Sequence, residues 1–310
     1  MSKKIRVGII GAGYISDWHA DAIVATKDAE LSCVVDNNLA AAESFAAARG
    51  IAAFGSVQDL LAAGAADAVH VLTPPEHHRA VTDECIAGGL HVLVEKPVAL
   101  SSADVEAMSA AAQERGVQFA AGHNFLGLPS YIRLKSMLAA GTIGRVSTAE
   151  INWCFPLGPL RSGPYGIWLM RETRNLLQEL GPHLFAFMQD LFGDVEILHL
   201  QTSNEIALPG GGTRPQGWRI LARAGKVDVT LNLALVETYD DRSVVVRGSS
   251  SMARLDYAND TLVVSGVNTS DLVLNPLRSA LGQSFWYLRE GLVNAVRQLT
   301  SLNQKSPYSL

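Results

Sequence analysis

A chain of 310 residues exceeds the size that one hydrophobic core usually serves, so two domains are expected. Its 48% hydrophobic and 18% charged residues exclude a disordered or fibrous protein, and a formal net charge of -5 with no Lys/Arg stripe argues against nucleic acid as a partner. No stretch approaches the ~20 uncharged apolar residues of a membrane-spanning helix. The apolar run after the basic first six residues breaks at Gly8, Gly11 and Gly13 without a cleavage pattern, so a cytoplasmic protein with no membrane partner is expected.

Residues 5–10 read as a short, nearly all-apolar strand of the kind buried on both faces in a parallel sheet. A glycine turn follows, then a helix to about residue 27, a strand at 31–35, a helix at 39–49, a short strand near 52 and a helix at 57–61. The alternation continues with a strand at 68–72, a helix from Glu76, a strand at 91–94, a helix at 101–115 and a strand at 117–121. Ser102 and Asp104 are the cap candidates of the last helix, which Gly116 ends. A dinucleotide-binding domain over residues 1–122 is implied.

From there the pattern changes. A helix at 129–140, a strand at 146–155, a Gly/Pro/Arg-rich loop at 156–166 and a helical region at 175–191 precede strands at 196–202, 218–224, 227–236, 243–247, 253–257 and 261–264. An amphipathic helix at 284–302 closes the chain. The expected fold class is α/β: an N-terminal Rossmann doubly wound parallel sheet, then, over residues 123–310, an α+β domain on a large, mostly antiparallel, open-faced sheet. An uncovered apolar face on that sheet would serve as a subunit contact.

Gly11-Ala12-Gly13-Tyr14-Ile15-Ser16 follows a strand and opens a helix, the context that gives a glycine pattern meaning. Gly11 makes the tight turn, Gly13 lets the backbone approach a pyrophosphate, and the free amides of the helix N-terminus meet its charge. Ser16 stands where a third glycine is usual and is small enough for close packing. Asp36, at the end of the second strand, can accept hydrogen bonds from the adenosine ribose. With Asn37 and Asn38 beside it and no arginine, it favours NAD over NADP; the plainer reading of Asp36 is a turn residue. Cys33, Cys85 and Cys154 are odd in number, widely spaced and set among apolar neighbours, which suits reduced core thiols, and no metal site is indicated.

Four further segments carry a resemblance. Thr73-Pro74-Pro75-Glu76-His77-His78 follows the fourth strand and Glu95-Lys96-Pro97 the fifth; a Gly-x-Ile-Gly-x-Val element spans residues 141–146, and Gly181-Pro182-His183 is followed by Leu191-Phe192-Gly193. With the glycine turn, these make the chain resemble the Gfo/Idh/MocA family, the relatives of glucose-fructose oxidoreductase and inositol dehydrogenase. The resemblance implies that Lys96 projects toward substrate, that Pro97 follows a cis bond with Glu95 serving position, and that His183 is the general base. It further implies that Thr73, Pro74 and His78 order the loop by the cofactor, and that the chain forms a homodimer or homotetramer.

An ammonium can lower the pKa of a reacting hydroxyl, and an imidazole suits proton transfer near neutral pH. Glu179, four residues before His183, can reach the same helix face and orient the ring, although Pro182 lacks an amide proton and is able to kink or restart the helix between them. The plainer readings are a packed core histidine and a solvated carboxylate. Asn124, where the family often continues with arginine and this chain reads Phe125, is a substrate-binding candidate. So are Arg161, Tyr165, Trp168, Arg171 and Arg174, whose guanidinium and aromatic groups suit an anionic sugar, surface charge being the alternative.

The expected activity is hydride transfer between NAD and a secondary alcohol or ketone of a sugar, sugar nucleotide or cyclitol. A redox-elimination glycosidase and a non-catalytic dinucleotide sensor are the alternatives.

Overall fold

In a computed structural model the described residues are 3–156, 168–207, 213–236, 239–266 and 274–300. The strands β1 (Ile5–Ile10), β2 (Ala29–Val35), β3 (Ala52–Phe54), β4 (Ala68–Val71), β5 (His91–Val94) and β6 (Phe119–Ala121) form one parallel sheet in the order β3-β2-β1-β4-β5-β6. The order reverses between β1 and β4, which opens the crevice where such sheets bind ligands.

Strand alternation splits the apolar residues between two cores. On one face Val7, Ile9 and Val34 pack with Ala20 and Ile23 of α1 (Ser16–Ala25) and Phe45 of α2 (Leu39–Ala47). On the other, Ile10, Cys33, Val69 and Val92 pack with Leu60 of α3 (Val57–Ala63), Ile86 of α4 (Pro75–Ala87) and Met108 of α5 (Ser102–Arg115). Near-continuous apolar strands are what burial on both faces demands.

The residue that caps α5 is Ser101, one earlier than expected: its hydroxyl accepts the Asp104 amide at 3.2 Å, because Ser101 keeps the extended backbone of a cap while Ser102 is already helical. Cys33 and Cys85 are free and buried, and Cys154 is free and half-buried. Burial pushes the Cys85 thiol up to about 12, well away from thiolate chemistry at neutral pH.

By contacts the chain divides into Met1–His123 and Asn124–Leu310. In the second unit β7 (Val146–Cys154), β8 (Val195–Ser203), β11 (Gly217–Ala224), β12 (Val227–Ala234), β13 (Asp241–Gly248), β14 (Met252–Asp256) and β15 (Thr261–Ser265) form a sheet ordered β15-β14-β13-β7-β12-β11-β8. The two-residue strands β9 (Ile206–Ala207) and β10 (Thr213–Arg214) pair separately. All neighbours in the large sheet are antiparallel except β7 and β12, which run parallel.

Its core face takes α6 (Pro129–Ala139) and α8 (Thr173–Phe192), the latter preceded by the short α7 (Trp168–Arg171). Leu176, Leu184, Phe187 and Met188 of α8 are fully buried. The opposite face is not the apolar surface expected. Outward positions carry Arg219 against Asn232, Arg223 against Asp228 and Arg247 against Glu150, with Leu221 among them, because these strands alternate apolar and polar residues.

The closing helix α9 (Leu274–Thr300) begins ten residues before the periodicity suggests. Two buried carboxylates hold it. Glu290, 1% exposed, pairs with Arg133 and accepts the Leu262 amide at 3.3 Å, and Asp260, 3% exposed at its side chain, receives Arg297 at 2.7 Å. Leu281, Phe285, Leu288 and Leu292 point outward, each at least 60% exposed. No described helix is long and apolar enough to cross a membrane.

Candidate active site

The glycine turn lies at the C-terminal end of β1, on the rim of the sheet's switch point. Gly11 has φ +106, and a Cβ there would lie 2.9 Å from the carbonyl carbon and oxygen of Leu72, so only glycine is accommodated. Gly13 is exposed and a Cβ on it would meet nothing within 4 Å, leaving its backbone open to a ligand. Tyr14 is 78% exposed beside it, and Ile15 packs into the α1 core.

Ser16, in the third glycine's place, is buried and donates its hydroxyl to the Gly13 carbonyl at 2.5 Å, closing the turn from within. Asp36 completes it. One carboxylate oxygen accepts the Ala12 amide and the other the Asn38 amide, both at 2.8 Å, while Asn37 stays exposed. Each oxygen keeps a second lone pair for a ribose hydroxyl. A positive-φ glycine pinned against the next strand, an open second glycine and a fixed carboxylate are a cradle that fits a dinucleotide.

The two other loops of this unit are tied together. His78, 1% exposed, places Nε2 2.7 Å from the Thr73 carbonyl and Nδ1 2.9 Å from the Pro97 carbonyl. Two acceptors ask for an N–H on each nitrogen, whereas burial, the stronger influence, lowers the pKa against the pull of those carbonyls. A neutral ring therefore donates to only one of the two. Pro74, itself exposed, precedes α4, and the Thr73 hydroxyl is buried without a hydrogen-bond partner.

The Lys96–Pro97 bond is cis. Glu95 turns its carboxylate back on this loop, accepting the Lys96 amide at 2.9 Å and facing His19 Nε2 at 3.1 Å. Burial pushes the Glu95 pKa up, but the His19 hydrogen bond and charge, with Lys96, win and hold it below the ordinary value. No pattern in the sequence marks His19 or its neighbour His70, since each is a single residue inside an otherwise ordinary helix and strand.

In the second unit α8 runs unbroken through Pro182, so Glu179 and His183 stand one turn apart on one helix. His183 is 7% exposed, stacked on Trp153 with centroids 5.7 Å apart at 11° and met edge-on by Phe125 at 4.7 Å. These aromatic walls fix the ring plane. Trp153 and Phe125 escaped sequence reading because only the folded sheet brings β7 under α8.

Asn124 is exposed in a 3-10 turn, next in sequence to Phe125. Trp168 is half-buried and its carbonyl accepts the Asn175 side-chain Nδ2–H at 2.6 Å. Arg171 is exposed, and Arg174 pairs with Glu172 at 2.6 Å on the surface. Arg161 and Tyr165 lie outside the described residues. Among the described residues no group of histidine, cysteine and carboxylate side chains is arranged to hold a metal.

The fold and the cradle define a dinucleotide-binding protein. The comparisons with known proteins make this narrower. Residues 5–123 match the oxidoreductase family with the NAD-binding Rossmann fold, and residues 131–267 match the GFO/IDH/MocA C-terminal domain, so the chain belongs to the Gfo/Idh/MocA family.

Among its relatives, UDP-N-acetylglucosamine 3-dehydrogenase of Acidithiobacillus ferrooxidans is 38% identical over 119 residues, 38% of this chain and 37% of that protein. Glucose-6-phosphate 3-dehydrogenase of Bacillus subtilis is 33% identical over 192 residues, 60% of this chain and 53% of that protein. The crystal structure of the WlbA dehydrogenase from Bordetella pertussis with NADH and UDP-GlcNAcA is similar with a TM-score of 0.71 at 25% identity, covering 82% of this chain and 79% of that one. The chain spans about half the length of the curated relatives it matches.

Proposed function

We propose that the protein is an NAD-dependent dehydrogenase or ketoreductase acting on a secondary alcohol or ketone of a sugar, sugar nucleotide or cyclitol. The observation that carries this reading is the Gly11–Gly13 turn with the Asp36 carboxylate locked onto the Ala12 amide at 2.8 Å. That carboxylate would repel a 2'-phosphate, which favours NAD. The relatives' carbohydrate substrates support the substrate class.

When bound, the nicotinamide supplies the hydride acceptor. Gly11, Ala12, Gly13, Tyr14 and Ile15 line the pyrophosphate side, Asp36 and Asn37 the ribose, and Thr73, Pro74, His78 and Glu95 hold the loops beside it. The Lys96 ammonium hydrogen-bonds the substrate hydroxyl and stabilises the forming alkoxide. His183 takes the hydroxyl proton, its ring plane held by Trp153 and Phe125 and its orientation aided by Glu179. Asn124, Trp168 and Arg171 contact the rest of the substrate.

The test pairs NAD with UDP-N-acetylglucosamine, glucose 6-phosphate and inositol and follows NADH. Lys96→Met and His183→Ala are expected to lower turnover about a hundredfold or more while NAD still binds. Wild-type turnover in both variants overturns the assignment. Consumption of a glycoside without NADH accumulation points to redox-neutral elimination instead.

A further inference from the structure

His19 and His70 take no part in the reaction as proposed, yet they make a continuous polar chain beneath the Lys96 loop. His70 Nδ1 of β4 lies 2.9 Å from His19 Nδ1 of α1, their rings nearly perpendicular at 82°; His19 Nε2 lies 3.1 Å from one Glu95 oxygen, and the other accepts the Lys96 amide at 2.9 Å. The His19 and Glu95 side chains are only 15% and 17% exposed.

A carboxylate can only accept, so His19 Nε2 carries the proton in that contact. Gly122 comes close to the same carboxylate: a Cβ there would lie 2.9 Å from the Glu95 oxygen that faces His19. A buried carboxylate held at both oxygens has one orientation. That orientation fixes the backbone amide of the residue whose side chain is proposed to meet the substrate.

We propose that His19 is a positioning residue, acting through Glu95 to hold the backbone from which the Lys96 ammonium projects. This rests on the role given to Lys96 above. The alternative, that His19 is merely packed against His70, makes a different prediction for two conservative variants. In His19→Asn the side-chain amide replaces Nδ1, keeping the His70 contact and losing Glu95. In His19→Gln it reaches the position of Nε2 and keeps Glu95.

The experiment uses the full chain saturated with NAD. Hydrogen–deuterium exchange is followed in the peptide covering residues 93–98, and turnover is measured with whichever of the three sugars above reduces NAD. H19N is expected to speed exchange of the Lys96 amide about tenfold and to lower kcat about tenfold with the NAD Kd within about twofold, and H19Q to stay near wild type in all three. Combining H19N with E95Q should cost no more than E95Q alone, because both remove one link.

Equal behaviour of H19N and H19Q, the reverse order, or costs that multiply in the double variant overturns the proposal. Exchange does not depend on any chemistry at Lys96, so it separates the two readings. Wild-type turnover in K96M sinks the catalytic role of Lys96, and unchanged exchange in H19N sinks the link through Glu95.

Discussion

At the scale of single residues, the site depends on groups whose protonation or charge the fold has chosen. Asp36 holds the glycine turn through Ala12 and is proposed to face the ribose, so Asp36→Ala is expected to weaken NAD binding about tenfold and to narrow the preference over NADP; fluorescence titration with both nucleotides checks it. His70 is held down to about 4, chiefly by burial and then by the charge of His19, below the ordinary value of 6.5. Its unfolded form therefore takes up a proton first as pH falls. Stability that is complete above about 6.5 should decline toward pH 4, and His70→Asn should flatten that decline in melting curves. Asp67, lowered from 3.8 to about 2 by Arg6, shifts in the same sense, and its contribution is lost only as pH falls from the ordinary carboxylate value toward 2, so the two effects separate by their pH windows. Asp36 and Lys96 could be picked out from the chain because each sits beside a turn motif. His19 and His70 could not, since the partners are 51 positions apart and meet only across a helix and a strand.

At the scale of elements, the Rossmann unit is legible because its strands are apolar throughout and its turns are punctuated by glycine. The second unit is less so. Helix α9 starts ten residues early because its attachment is polar: Glu290 and Arg297 face inward and the apolar stripe faces outward, which inverts the usual pattern. Glu290→Gln is expected to cost about 2 kcal/mol, since it removes the charge from a buried carboxylate that serves Arg133 and the Leu262 amide; urea unfolding measures it. Helix α8 continues through Pro182 because eight buried residues, among them Leu176, Leu184 and Phe187, anchor it on both sides of the proline. The short pair β9 and β10 has no sequence signal, as two residues show no period.

At the scale of the whole molecule, each unit carries its own core. Residues 1–123 contain all six strands of the parallel sheet and both of its apolar layers, so this piece alone is expected to fold and to retain NAD binding within about tenfold; circular dichroism and titration of the fragment test it, and a disordered fragment overturns it. The parallel pairing of β7 with β12 has a consequence for the order of events during synthesis. Strand β7 is flanked by β12 and β13, so the centre of its sheet stays unpaired until residue 234, and then residue 248, has left the ribosome. The nucleotide-binding half can be finished long before, and the nascent chain passes through a stage in which a strand with one apolar face waits in water for partners not yet made.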